Sequence, residues 1–192
     1  GTIAELCGCI VVQTSLFMII KANYRFAINS VPQRKNERFK HVISSYNDFK
    51  YKFSSSKFLN EVSKYEQSSH YLAAISAFEW AEISPLQDRE KNFNAAFKEA
   101  EMQKPLITDP KQLKEVDEWL EKGHFMIVKG NFLLSEERKE SQKVSALEQT
   151  VKSYYNFVDL FPKSRYIKEA ERIFNNSSDF YLPPAITPIK LI

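Results

Sequence analysis

The chain has 192 residues, 43% of them hydrophobic and 14% aromatic, which is enough apolar mass for a packed core and too much for a disordered chain. Its 27 basic and 24 acidic residues leave a net charge of +3 spread over both signs, which gives no indication of a nucleic-acid footprint. Only four glycines are present, leaving little for phosphate-cradling loops or tight hairpins.

The first predicted element is a helix from the N-cap type Thr2 to about Asn29. Leu6, Ile10, Val11, Val12, Leu16 and Phe17 make it apolar on more than one side. Because the end of a helical array normally presents a polar outer face, further repeats are expected before Gly1. The apolar run from Cys9 to Ile20 is too short to span a bilayer. Cys7 and Cys9, two apart, point to different sides of a helix and are not expected to bridge. Leu6-Cys7-Gly8-Cys9 has the outline of a lipoprotein cleavage box, but no basic and apolar leader precedes it, and that reading is rejected.

Further along, apolar residues recur at helical steps. Phe17, Ile20, Tyr24 and Ala27 form one stripe; Tyr71, Ala74, Phe78 and Ala81 form a second; Phe125, Val128, Phe132 and Ser135 form a third. Partner helices carry Phe39, Ile43, Tyr46 and Phe49, then Phe93 and Phe97, then Leu147, Val151, Tyr154 and Phe157. Breaks between the two helices of each pair fall at Val31-Pro32-Gln33, at Ser84-Pro85-Leu86 and in the charged stretch from Arg138 to Lys143. A proline disfavours helix at the residue before it. Ser56, Asp109 and Ser164 are N-cap types. They predict one helix over Ser56–Ile83 and another over Asp109 to about Glu137, interrupted only by Gly123 and Gly130. After Ser177-Ser178, three prolines within Leu182–Ile189 favour an extended tail.

These stripes are copies of one another. Phe17-Met18-Ile19-Ile20-Lys21-Ala22-Asn23-Tyr24 matches Phe125-Met126-Ile127-Val128-Lys129-Gly130-Asn131-Phe132, 108 positions on. The same register pairs Tyr46 with Tyr154, Phe49 with Phe157, Phe53 with Phe161, Ser56 with Ser164 and Glu61 with Glu169. Half the offset finds a weaker middle copy, pairing His70-Tyr71 with His124-Phe125. A tandem unit of about 54 residues predicts an all-α, tetratricopeptide-like α-solenoid of three helix pairs. The repeats are placed at about 15–68, 69–122 and 123–177, within one domain over 1–182 followed by the tail at 183–192.

Two stretches resemble a known family. Ala27-Ile28-Asn29-Ser30-Val31-Pro32, Glu37-Arg38-Phe39, Tyr46-Asn47-Asp48-Phe49 and Phe53-Ser54-Ser55-Ser56-Lys57-Phe58 are similar to the carboxy-terminal repeat of the BamD family, in its Bacteroidota form. Tyr154-Tyr155-Asn156-Phe157, Phe161-Pro162-Lys163-Ser164-Arg165-Tyr166 and Glu169-Ala170-Glu171 repeat the pattern. The resemblance covers residues 15–70 and 124–178 well and the middle copy loosely. Family members end soon after one such unit, whereas this chain continues for two more. The resemblance implies a lipoprotein of the outer-membrane β-barrel assembly machine. It would sit on the periplasmic face of the outer membrane, anchored by an upstream lipidated cysteine absent from this chain. It would dock on the barrel-forming subunit.

Other motifs have simpler explanations. Ser54-Ser55-Ser56-Lys57 holds the Ser-x-x-Lys spacing of some acyl-transfer enzymes, but it coincides with a helix cap and lacks the partner motifs. His70 and His124 share a repeat position, which packing explains, and metal binding would need further ligands at suitable spacing. The sequence therefore predicts a scaffold that binds proteins, with no catalytic residue, no metal and no cofactor. An adaptor in another envelope pathway is the alternative, and a helical enzyme using His70 and His124 is a more distant one. The expected contact surface is a concave side lined by second helices, with Arg38, Tyr46, Lys50 and Tyr51 in the first copy and Tyr154, Tyr155 and Asp159 in the third. Aromatic side chains beside charged ones are good interface anchors.

Overall fold

A computed structural model describes the backbone of residues 3–181 and the side chains of residues 10–178. Thr2, the side chains of Cys7 and Cys9, and the tail at 183–192 lie outside the described residues. The described chain is all-helical and has no strand. The helices are α1 (Ile3–Ile28), α2 (Pro32–Lys52), α3 (Leu59–Ile83), α4 (Leu86–Gln103), α5 (Pro110–Glu136), α6 (Glu140–Leu160) and α7 (Ile167–Tyr181), with a 3-10 turn at Lys104–Leu106. No helix among the described residues is long and apolar enough to cross a membrane.

Second helices begin at residues 32, 86 and 140, each 54 after the last. Pro32 starts α2 because its fixed φ suits the first helical position and its missing N–H has no partner to lose. Val31 before it is extended, at φ −63° and ψ 146°. Lys139 takes nearly the same conformation, φ −63° and ψ 151°, with no proline after it. There Glu140 supplies a negative charge to the first turn, which the helix dipole favours. This break is shorter than the charge pattern Arg138–Lys143 suggests, since α6 has already begun at Glu140.

The predicted caps fall where expected, Asp109 directly before α5 and Ser56 and Ser164 three residues before α3 and α7. Ser56 Oγ accepts the Phe58 N–H at 3.2 Å, Asp109 Oδ1 the Lys111 N–H at 2.8 Å and Ser164 Oγ the Tyr166 N–H at 3.1 Å. The long helix predicted from Ser56 therefore starts at Leu59, because residues 53–58 form two consecutive turns before it. Residues 161–166 repeat those turns: Ser56 N–H bonds Phe53 O at 3.0 Å, and Ser164 N–H bonds Phe161 O at 3.0 Å. Neither Gly123 nor Gly130 interrupts α5.

The chain divides into two compact units. One contains the residues up to Trp80 with Ala95–Asp117, and the other Ala81–Asn94 with the residues from Glu118. In the first, α1 packs on α2. Phe17, Ile20, Val42, Tyr46, Phe49 and Val62 form its buried cluster, flanked by Tyr24, Phe53, Phe58 and Leu59. In the second, α6 packs on α7, and the cluster holds Phe125, Val128, Phe157, Ala170 and Ile173, flanked by Phe132, Tyr154, Phe161, Tyr166 and Ile167. Position by position these are largely the same cluster 108 residues apart. Phe17 stacks on Phe58 at 4.5 Å, and Phe125 stacks on Tyr166 at 4.7 Å. Lys21 reaches Glu61 at 3.2 Å, and Lys129 reaches Glu169 at 3.2 Å. Each fully buried aromatic contributes about 1.5–3 kcal/mol by leaving water, so these clusters contribute substantially to the stability of their units.

Candidate functional site

The end of α1 and the start of α2 enclose a groove of about 660 Å³. Helix α1 contributes Asn23 and Phe26; α2 contributes Arg34, Glu37, Arg38, His41 and Ser45. Steps of three and four from 34 to 45 put these α2 residues on one helical face. The turn between the helices fixes one of them. Ser30 Oγ donates to the Phe26 carbonyl at 2.5 Å, and the Arg38 guanidinium donates to Ser30 Oγ. The guanidinium also lies 3.8 Å from the centre of the Phe26 ring, a cation–π contact that holds its plane over the aromatic face.

Charges on α2 are divided by direction. Lys35 pairs with Glu79 at 3.6 Å and Lys40 with Glu99 at 2.6 Å. Arg34 and Arg38 face the groove and belong to no ion pair among the described residues. Glu37 is the carboxylate that lines it with them.

The third copy has a groove at the equivalent place, about 430 Å³, between α5 and α6. Its lining is Asn131, Leu134, Gln142, Ala146 and Gln149, with Arg138, Ser141 and Ser145. Position for position, Arg34, Arg38 and His41 are replaced by Gln142, Ala146 and Gln149. The Asn131 side-chain nitrogen is buried there without a hydrogen-bond partner. A neighbouring polar cleft of about 320 Å³ contains Glu90, His124, Lys152 and Asn156. Burial pushes the His124 imidazole down to about 4, so it is neutral at physiological pH.

The residues singled out from sequence are scattered in role. Arg38 lies in the first groove. Tyr46 is buried in the α1–α2 cluster, so its ring packs the core, with Lys50 Nζ 5.8 Å from its centre. Tyr51 is 89% exposed. Tyr154 stacks on Phe174 at 4.4 Å, and burial pushes its phenol up. Tyr155 is exposed and meets the edge of Phe174 at 5.4 Å. Asp159 is exposed. Arg34, Glu37 and His41 are not among the contact residues the sequence singles out, although their spacing from Arg38 along one helical face is visible in it.

The histidines differ from each other. His70 is buried, with Nδ1 2.5 Å from Gln103 Oε1 and Nε2 2.9 Å from Glu66 Oε1. Among the described residues no cluster of three or more His, Cys, Asp or Glu could hold a metal ion.

No family model matches this chain, and no curated protein matches it.

Proposed function

We propose that the chain is a protein-binding scaffold of the tetratricopeptide-like α-solenoid kind. The observation that carries this reading is recurrence: the capped double turn, the stacked pair and the Lys–Glu bridge reappear 108 residues apart with almost unchanged dimensions. Duplicated helix pairs of this sort gain stability from packing against neighbours and serve by presenting surface. The surface available is rich in partner-type side chains. Phe26, Met18 and Ile19 on α1, and Tyr51 and Tyr155 on the second helices, are each more than half exposed.

The resemblance to the BamD family extends the proposal. The chain would act at the periplasmic face of the outer membrane, held by an upstream lipid anchor, with the barrel-forming assembly subunit as its partner. Affinity purification of the tagged full-length protein from gently solubilised envelopes of its native host tests this. Recovery of the assembly subunit near one-to-one is the expected result. A different stoichiometric partner would keep the scaffold and replace the pathway, and recovery of no stoichiometric partner would overturn both.

A further inference from the structure

The groove between α1 and α2 carries charge that its place in the fold does not require. The third copy forms the same groove with Gln142, Ala146 and Gln149 where the first has Arg34, Arg38 and His41. The middle copy has Asp88, Asn92 and Ala95 at those positions. The third groove's single cation, Arg138, comes from the turn before α6, so the second helix itself packs there without an arginine, and Arg34, which joins no ion pair among the described residues, is not explained by packing. Arg34 sits in the first turn of α2, where a positive charge opposes the helix dipole, and no acidic residue occupies that turn to offset it. A ligand carrying negative charge removes this conflict.

We propose that this groove binds an acidic segment of a partner protein, its carboxylates pairing with Arg34 and Arg38 and an adjacent apolar side chain packing on Phe26. This rests on the scaffold reading and names the chemistry of one of its surfaces. Arg38 is already oriented by Phe26 and Ser30, so little side-chain freedom is lost when it forms a forked pair with a carboxylate. Four residues of helix rise about 6 Å, close to the ~6.6 Å between residues i and i+2 on one side of an extended chain. Two acids at that spacing match the two arginines. Glu37, between them in sequence, repels a third acid and limits the charge density accepted; His41 lies one turn further on. The apolar requirement comes from α1: Phe26 is 58% exposed and Ile19, two turns before it, is 51% exposed. A lone inorganic anion would leave that strip in water.

Fluorescence anisotropy with a labelled peptide of about twelve residues, carrying Glu-x-Glu beside Phe and Leu, tests the assignment. The full chain is expected to bind it saturably, and a Gln-for-Glu version at least about tenfold more weakly. Arg34→Gln, which leaves the Arg38 contacts in place, is expected to weaken binding about fivefold or more. Arg34→Gln with Arg38→Ala, checked for an unchanged thermal melt, should abolish it. The double change Gln142→Arg and Ala146→Arg is expected to create a second peptide site in the third copy's groove. Equal binding of the Gln peptide, no effect of Arg34→Gln, or displacement by equimolar inorganic phosphate overturns the proposal. If the chain ignores the acidic peptide but still recovers a stoichiometric partner from envelopes, the groove assignment fails and the scaffold stands.

Discussion

Where the first and third copies place Phe49 and Phe157 at the heart of an aromatic cluster, the middle copy places Gln103. The exchange draws in its neighbours. Ser45 and Ser153 become Glu99, and Leu16 and His124 become His70. The result is a buried chain of polar groups. Gln103 Nε2 donates to Glu99 Oε1 at 2.8 Å, Glu99 meets Lys40 at 2.6 Å, and the Gln103 carbonyl faces His70 Nδ1. His70, Glu99 and Gln103 are each less than 10% exposed. One helical frame thus accepts either non-directional aromatic packing or a directional polar network. The second option works only where every buried donor and acceptor finds a partner.

The largest test of that contrast is truncation of the aromatics. Phe49→Ala and Phe157→Ala should each cost about 3–5 kcal/mol in urea-induced unfolding, from lost burial and the cavity left behind. Gln103→Ala should cost less, about 1–3 kcal/mol, chiefly because His70 and Glu99 lose a partner. If Gln103→Ala costs as much as Phe157→Ala, the network is a packing element and the contrast collapses. A sharper version imports the flanking chemistry. Gln103→Phe alone should destabilise, because it leaves the buried His70 Nδ1 without its partner, whereas Gln103→Phe with His70→Leu should recover to within about 1–2 kcal/mol of the parent. Purely additive effects would show that the two residues do not act together.

How much of this was legible in the sequence depends on which residues carry the signal. The helices and their 54-residue phase were readable because Pro32, Pro85, Ser56 and Ser164 act locally through backbone geometry. The aromatic stripes were readable because burial imposes helical spacing. The α5–α6 break is shorter than the charge pattern suggests because Lys139 adopts the extended cap conformation with no proline to mark it. The polar network was not legible: His70, Glu99 and Gln103 lie up to 33 positions apart and resemble ordinary surface residues until their burial is known. The groove was half legible. Arg38 stood out beside the Ala-Ile-Asn-Ser-Val-Pro run, but only comparison of the copies sets Arg34 against Gln142 and His41 against Gln149.

The caps give a smaller test between the first and third copies. Ser56→Ala should cost about 1 kcal/mol of stability by freeing the Phe58 N–H. Ser164→Ala should cost more, because Ser164 Oγ accepts the Tyr166 N–H and also donates to the Glu121 carboxylate. Equal losses in parallel thermal melts would mean that the Glu121 contact adds nothing.

The smallest expected effect separates the two copies where they look most alike. Lys21–Glu61 and Lys129–Glu169 have the same length, and both are exposed enough for solvent to screen them strongly, so each adds little to stability. Only Glu61 also receives a phenol. Tyr65 Oη donates to Glu61 Oε1 at 2.8 Å, whereas the third copy has Ile173 at that position. The Tyr65 hydroxyl first, and Lys21 second, hold the Glu61 carboxyl below its ordinary range. A carboxylate depressed in the folded state binds fewer protons folded than unfolded. Its stabilising contribution is therefore complete above the unfolded value and is lost as pH falls through the folded one. Tyr65→Phe should move the Glu61 midpoint upward in a carboxyl-carbon NMR titration and bring the onset of that loss to higher pH. A midpoint unmoved by Tyr65→Phe would assign the depression to Lys21 alone, and would erase the electrostatic difference between the first copy's bridge and the third's.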